Sequence, residues 1–197
     1  NDSLAIQTAQ NYYPGAEGQG VISVYPLSNL ADKPSTISSD HWLIGASRDS
    51  LLLSPYSPTA GNDGSTRFRP FTVTQMGTDG TVRRTITGVN RVYPGGWLQR
   101  FSDPAAAATL ATSTAGKDDD QTQAAWKAMP TQIVDLNSGS THDLTGGKAE
   151  SVGVPTGPGL LISHEAADGD GSPQQFWLSS ADDGHPHTEN LEQFTSK

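Results

Sequence analysis

The sequence contains no cysteine, and it carries only 12 basic side chains against 21 acidic ones in 197 residues. The first absence rules out disulfides, zinc–thiolate sites and a cysteine nucleophile. The charge imbalance gives a formal net charge of −9 at pH 7. A surface of this sign repels phosphate groups and anionic lipid headgroups, so we expect no nucleic-acid partner and no binding at a membrane surface.

Long apolar stretches are also missing. No run approaches the roughly 18 apolar residues that a membrane-spanning helix needs, so we expect no membrane insertion. The first residues, NDSLAIQTAQ, lack the basic and then apolar pattern of a signal peptide. A chain with few lysines and many Ser, Thr, Asn, Gly and Asp residues is typical of exported bacterial proteins. We therefore predict an extracellular or cell-surface location, with any leader already removed.

The chain is rich in turn-forming residues, with 21 glycines and 13 prolines, which favours short strands over long helices. Apolar runs at 42–46 and 51–56 predict one β-hairpin, and runs at 71–76 and 81–86 predict a second. A third hairpin is predicted for 131–146, TQIVDLNSGSTHDLTG. Its Gly139 can adopt the positive φ that a tight turn requires.

Further apolar runs predict single strands at 20–26, 97–101, 160–164 and 175–180. Helix is expected only in short pieces, at 4–11 and 105–108, while 124–129 is either a strand or the end of a helix. The polar stretch 27–39 is predicted to be a loop.

The pattern x-Trp-Leu-x-x-x-Ser occurs twice, at 41–47 and 96–102. It begins two successive units of an apolar strand, a second strand and a hairpin. Such a unit resembles one blade of a β-propeller of the TolB or quinoprotein kind, best in 95–146. The resemblance implies a segment of a propeller. A compact antiparallel barrel or sandwich, or a mixed fold with one or two short helices, would explain the same hairpins.

The fold class predicted is all-β, built from antiparallel sheet modules of about four strands each, with at most one or two short helices. The chain is expected to form a single domain, 1–197. Within it we distinguish an N-terminal extension, 1–19, and a first sheet module, 20–93. A second module, 94–150, carries an acidic insert at 103–123, which we expect to be mobile at its centre. A third module with a polar tail spans 151–197.

A metal site is a hypothesis for the segment HEAADGDGS, where Glu165, Asp168 and Asp170 place carboxylates among glycines. Calcium prefers such oxygen ligands in flexible loops, although the spacing departs from an EF-hand loop. A plain acidic turn would have the same composition, so our leading interpretation requires no cofactor.

Catalytic groups are hard to choose. A hydrolase triad could combine Asp40 and His41 with Ser47 or Asp49, or could use His164 with Glu165, but there is no Gly-x-Ser-x-Gly elbow. A glycosidase requires only two carboxylates, and 21 acidic residues give no way to select them.

Ligand contacts are assigned to Trp126, Arg48, Asp49 and Arg100. Trp126 follows the acidic insert, so we expect it to be exposed and able to stack on a sugar face. The other tryptophans lie at strand starts or in apolar runs and are expected in the core. The function predicted is a non-catalytic extracytoplasmic binding or structural module. It would bind a protein or a carbohydrate, alone or as part of a longer or associated chain. A secreted hydrolase acting on glycans and a calcium-stabilised adhesin-type domain are the alternatives.

Overall fold

The computed structural model describes residues 3–9, 20–55, 70–117, 119–144, 147–150, 159–164, 174–180 and 186–190. Three antiparallel sheets and two short helices account for most of this part of the chain. The prediction of a mostly β, antiparallel fold with one or two short helices is confirmed.

The first sheet has three strands in the order β1-β2-β3: β1 (Ser3–Ala9), β2 (Gly20–Pro26) and β3 (Ser35–Ser39). The strand predicted at 20–26 is confirmed. The helix expected at 4–11 is wrong, because residues 3–9 pair with β2 along their whole length. The loop expected at 27–39 is also wrong at its end. There, Ile37 is buried against the core and its Ser and Thr neighbours alternate with it as a strand requires.

The second sheet has seven strands in the order β10-β9-β8-β7-β6-β5-β4. They are β4 (Trp42–Ser47), β5 (Ser50–Ser54), β6 (Phe71–Gly77), β7 (Val82–Tyr93), β8 (Trp97–Phe101), β9 (Thr131–Asp135) and β10 (Thr141–Asp143). The three predicted hairpins and the strand at 97–101 are confirmed.

Strand β7 is the longest, with 12 residues, and it pairs with β6 through its first half and with β8 through its second half. It bends at Gly88, whose φ is +72°, and its pairing with both neighbours shifts register near this point. The sheet is thereby folded into two four-stranded halves that share β7. Contacts between distant strands show this. A Cβ atom at Gly45 of β4 would lie 3.1 Å from Val92 of β7, and the N–H of Arg48, just after β4, donates to the side chain of Asn137, after β9. Side chains of β5, β6, β8 and β9 then form a shared core between the two halves.

Two helices are inserted between β8 and β9: α1 (Pro104–Ser113) and α2 (Asp120–Ala128). Asp103 caps α1 by accepting hydrogen bonds from two backbone N–H groups, and Asp119 caps α2 by accepting one from Thr122. The short helix predicted at 105–108 is therefore part of a longer one. The segment 124–129 is the end of a helix rather than a strand.

The exposure expected of Trp126 is wrong. It is 5% exposed and packs with Phe101 and Ala107 in a small cluster between the helices and β8. The Phe101 and Trp126 ring centroids are 5.4 Å apart. Thr122 and Trp126 are one turn apart on α2 and both are buried, so the helix turns this face towards the sheet.

The third sheet has four strands in the order β11-β12-β13-β14: β11 (Gly147–Glu150), β12 (Gly159–His164), β13 (Gln174–Ser180) and β14 (Pro186–Asn190). Strands were predicted at 160–164 and 175–180, and both are present. The hydrogen-bonded sheets divide the chain after 39 and after 143, whereas the predicted modules divide it after 93 and after 150.

The sheets are stacked face to face. Leu51 and Leu53 of β5 pack against the first sheet, while Leu52 points to the core inside the bent second sheet. Trp97 of β8 and Ile133 of β9 pack instead against the third sheet. Trp42 and Trp97 are buried, as expected for core tryptophans.

We predict that Trp126→Ala lowers the free energy of unfolding by about 3–5 kcal/mol, because a large buried ring is replaced by a cavity between the helices and β8. Lys127→Ala, at the exposed neighbouring position, should change it by less than about 0.5 kcal/mol. Urea unfolding followed by tryptophan fluorescence and circular dichroism measures both. Equal effects of the two substitutions would contradict this packing.

Candidate functional site

Three turns of the second sheet meet at one end, and we call them together the turn cluster: residues 48–49, 94–96 and 136–140. Gly96 packs so closely on Ser47 that a Cβ atom at Gly96 would lie 2.6 Å from the Ser47 Cβ. The carbonyl of Gly96 accepts a hydrogen bond of 2.9 Å from the N–H of Leu136. Turns that belong to different halves of the sheet are thus in direct contact.

Asn137 joins all three turns through its side chain. Its Nδ2 donates to the carbonyl of Gly95 at 2.8 Å, and its Oδ1 accepts from the N–H of Arg48 at 3.0 Å. Both ends of the amide are therefore engaged with backbone, and each bond spans more than 40 residues of sequence. Such long-range bonds fix the relative position of the turns.

The turn at 136–140 is also stabilised by the side chain of Asp135, which is 0% exposed and lies on the core side of the turn. Its carboxylate accepts hydrogen bonds from the N–H of Asn137 at 2.9 Å and from the Ser138 hydroxyl at 2.7 Å. Gly139 closes the turn with a φ of +82°, as predicted. The buried carboxylate therefore has a structural role in shaping the turn.

A chain of polar side chains runs from the turn cluster across the end of the apolar core. Ser47 and Ser50 hydroxyls are 2.5 Å apart, and Gln75 Nε2 donates to Ser50 Oγ at 2.6 Å. Arg84 Nε donates to Gln75 Oε1 at 2.7 Å, and its Nη2 donates to the carbonyl of Leu136 at 3.0 Å. This chain links β4, β5, β6 and β7 to the turn after β9.

The solvent side of the turn cluster is formed by charged and amide groups. The side chains of Arg48 and Asn137 are exposed. Asp49 Oδ1 and Arg83 Nη1 form an ion pair of 2.7 Å, and Arg83 Nη2 also donates to the carbonyl of Asp49 at 3.1 Å. An exposed pair of this kind adds little stability, so exchanging it for contacts with a ligand would cost the fold little.

The four residues assigned to ligand contacts fall into two places. Arg48 and Asp49 lie in the turn cluster. Arg100 is four residues beyond Gly96 along β8, which places it about 13 Å from the cluster. It donates from Nε and Nη2 to the Gln132 side-chain oxygen, at 2.6 and 2.7 Å, when that amide is oriented towards it. The buried Trp126 belongs to the same far end of β8, beside Phe101.

The proposed calcium ligands Glu165, Asp168 and Asp170 lie outside the described residues, as does the Glu165 of the second proposed triad. The other triad is not assembled. Asp40 and His41 pair at 2.6 Å at the start of β4, and this hydrogen bond from His41 lowers the pKa of the Asp40 carboxyl. Ser47 ends the same strand, six residues away, which corresponds to about 20 Å.

His142 of β10 lies opposite Ile133, on the face of the second sheet that packs against the third. Its Nε2 is buried and has no hydrogen-bond partner among the described residues. Burial lowers the pKa of this imidazole, while the carboxylates of Asp135 and Asp143 act in the opposite direction. The neutral form of His142 is therefore favoured in the folded protein.

Comparisons of the chain with family models, with curated proteins and with solved structures give no match. Neither α1 nor α2, the helices in the described part of the chain, is long or apolar enough to cross a membrane. Within the same residues, no three His, Asp or Glu side chains are grouped as a metal ion would require.

We predict that Gly96→Ala destabilises the protein more than Gly139→Ala. Both glycines have a positive φ, of +87° and +82°, so both substitutions incur the backbone strain of about 1–2 kcal/mol. Only at Gly96 does the new methyl group also clash with Ser47, since nothing lies within 4 Å at Gly139. Urea unfolding of the two variants measures the difference. Equal losses would show that the turns do not touch.

The free energy of unfolding should also depend on pH through His142. Because burial lowers the pKa of His142 in the folded state, the unfolded chain takes up the proton first as pH falls below the ordinary value of 6.5. The stability contributed by neutral His142 is therefore complete above this pH and is lost as pH falls towards the folded pKa. The variant His142→Gln should show a weaker loss of unfolding free energy between about pH 7.5 and pH 5. Identical pH profiles would contradict the assignment.

Proposed function

We propose that this chain is a non-catalytic, extracytoplasmic β module that binds a protein ligand through the turn cluster. The observation that carries the proposal is the way Asn137 and Gly96 lock turns from both halves of the second sheet together. Binding sites are commonly built from loops that a rigid scaffold holds in place. A surface fixed before binding loses little conformational entropy when the ligand arrives.

The charged groups of the cluster support a polar ligand surface. Arg48 and the pair of Asp49 and Arg83 offer both signs of charge at the exposed edge of the turns. Arginine is enriched at protein interfaces, where its planar guanidinium can bind carboxylates through two hydrogen bonds. The stacking of sugars on Trp126 loses its basis because the ring is buried. A protein ligand is therefore better supported than a carbohydrate.

The arrangement of polar groups gives little support to hydrolysis in the described region. The hydroxyls of Ser47 and Ser50 bond to each other and to Gln75, rather than to a histidine. The carboxylate of Asp135 is buried and held by its own turn. Catalytic nucleophiles and general acids must instead reach a substrate and stay within hydrogen-bond distance of one another.

A propeller-like assembly belongs to the same proposal. Successive four-stranded units packed face to face through apolar clusters are the arrangement that propeller blades adopt, and the second and third sheets supply three such units. Together with the acidic composition, this favours a module of a larger surface or secreted protein.

The proposal is tested with the chain immobilised on a resin and exposed to an extracellular protein extract. We expect Arg48→Ala to lower retention of the ligand at least about tenfold, because arginines are enriched among the residues that contribute most to binding at protein interfaces. The control variant Lys117→Ala removes an exposed positive charge just after α1, at a residue that is not part of the turn cluster. It should retain the ligand like the unmodified chain.

Two outcomes would contradict the proposal. One is retention of the same proteins in equal amounts by the unmodified chain, the Arg48→Ala variant and the Lys117→Ala variant. The other is turnover of chromogenic glycosides or esters by the purified chain, which would support the hydrolase alternative. Quantitative mass spectrometry of the retained proteins and absorbance assays provide the two readouts.

A further inference from the structure

Strand β1 forms one edge of the first sheet. In the residues that the structure describes, it pairs with β2 alone, in an unbroken antiparallel register from Ser3 opposite Pro26 to Ala9 opposite Gly20. In an antiparallel strand, alternate residues direct their N–H and C=O groups to opposite sides. About half of the backbone groups of β1 therefore face away from β2.

This edge lacks the usual protection against pairing with another strand. The sequence of β1, SLAIQTA, has seven residues with no charge and no proline. Three of the other edges differ. Strand β4 is interrupted by a bulge between Leu43 and Gly45, and β10 has three residues including Asp143. Strand β3, STISS, is also uncharged, but it is shorter than β1 and Ile37 is its one large apolar residue. Charges, bulges and short length are the features by which proteins keep edges from pairing.

The strand is also fixed in position from its inner side. Gln7 Nε2 donates to the carbonyl of His41 at 2.8 Å, and Gln7 Oε1 accepts from the N–H of Leu43 at 2.7 Å. Ala5, on the same face, packs against the cluster between the first and second sheets. A strand anchored in this way presents an ordered edge, so little conformational entropy is lost when it pairs.

On the outer face, β1 exposes apolar side chains. Leu4 is 43% exposed and Ile6 is 44% exposed, and Val21 of β2 on the same face is 40% exposed. Leu4 and Ile6 would be partly covered if the sheet were extended beyond β1, because directly opposite residues on neighbouring strands contact each other.

We propose that β1 pairs with β1 of a second copy of this chain, in antiparallel orientation, to give a continuous six-stranded sheet. The strand is self-complementary about Ile6. A two-fold axis there sets Ile6 opposite Ile6, Leu4 opposite Thr8 and Ala5 opposite Gln7. No charged side chain opposes another of like sign along the strand, as its sequence shows. This inference concerns a different surface from the turn cluster and does not rest on the proposed function.

The pairing is weak and dependent on salt. One pair of seven-residue strands buries less surface than the roughly 1,200–2,000 Å² of a stable interface, so dimers form only at high protein concentration. Each copy also carries a net charge of −9, which opposes association. At an ionic strength of about 0.1 M, salt screens this repulsion over distances beyond about 10 Å. The dimer is therefore expected to be favoured at higher ionic strength.

Sedimentation equilibrium over a range of protein concentrations tests the proposal. We expect a reversible monomer–dimer equilibrium for the unmodified chain. In Ile6→Lys the two introduced ammonium groups would face each other across the two-fold axis, so the dissociation constant should rise at least about tenfold. Val21→Lys is the matched control, since it adds the same charge to an equally exposed position on the same face but in the central strand. It should still dimerise.

Circular dichroism melting checks that both variants are folded. An unmodified chain that stays monomeric at the highest concentrations and at high salt would overturn the proposal. Equal weakening by Ile6→Lys and Val21→Lys would overturn it as well, because it would indicate association through the face of the sheet instead of its edge.

Discussion

The bend of β7 at Gly88 is the feature on which the rest of the second sheet depends. A φ of +72° is readily adopted only by glycine, and a Cβ atom at this position would lie 2.8 Å from the Cβ of Pro104, the first residue of α1. Without the bend, a seven-stranded meander would have two open faces to cover. With it, each half of the sheet covers the other, and the insertion of α1 and α2 follows directly against the bent strand.

When the second sheet folds on itself, the apolar core between its two halves is open to solvent at one end unless other side chains cover it. The chain of Ser50, Gln75 and Arg84 does this with side chains that are hydrogen-bonded to one another and to the carbonyl of Leu136. Gln75 is 4% exposed, so an unpaired amide there would be costly. The same network brings the turn at 136–140 towards β4, so the closure of the core and the geometry of the turn cluster have one physical origin.

Local patterns predicted most of the strands, and the failures have physical reasons. The strand at 20–26 alternates clearly and the one at 97–101 starts with a Trp-Leu apolar pair, and the structure places both at these limits. The segment of β1 is rich in Leu, Ala and Gln, which favour helix, and only its pairing with β2 makes it a strand. For Trp126, the neighbouring acidic run suggested exposure. The helical spacing from Thr122, which places both residues on the buried face, was the better signal.

The turn cluster is harder to predict from the sequence than the strands, because its contacts join residues that are far apart in the chain. Arg48 and Asp49 could be assigned as polar turn residues, but nothing in the sequence pairs that turn with Asn137 or with Gly95. The one local signal was Gln75, a polar residue in register with the apolar Val73 on the inward face of β6. An amide at such a position requires a buried partner, so it points to a polar network even before the partner is known.

The burial pattern along a strand also indicates in which layer of the stack the strand lies. Every residue of β5, SLLLS, is buried, which is typical of a strand covered on both faces, and this strand does lie between two apolar clusters. The strands of the first sheet alternate instead, with Ile22 and Val24 inward and Val21 outward. A sheet with this pattern lies at the outside of the described stack. Because Leu4 and Ile6 point outward at its uncharged edge, a further strand at that edge would bury apolar surface.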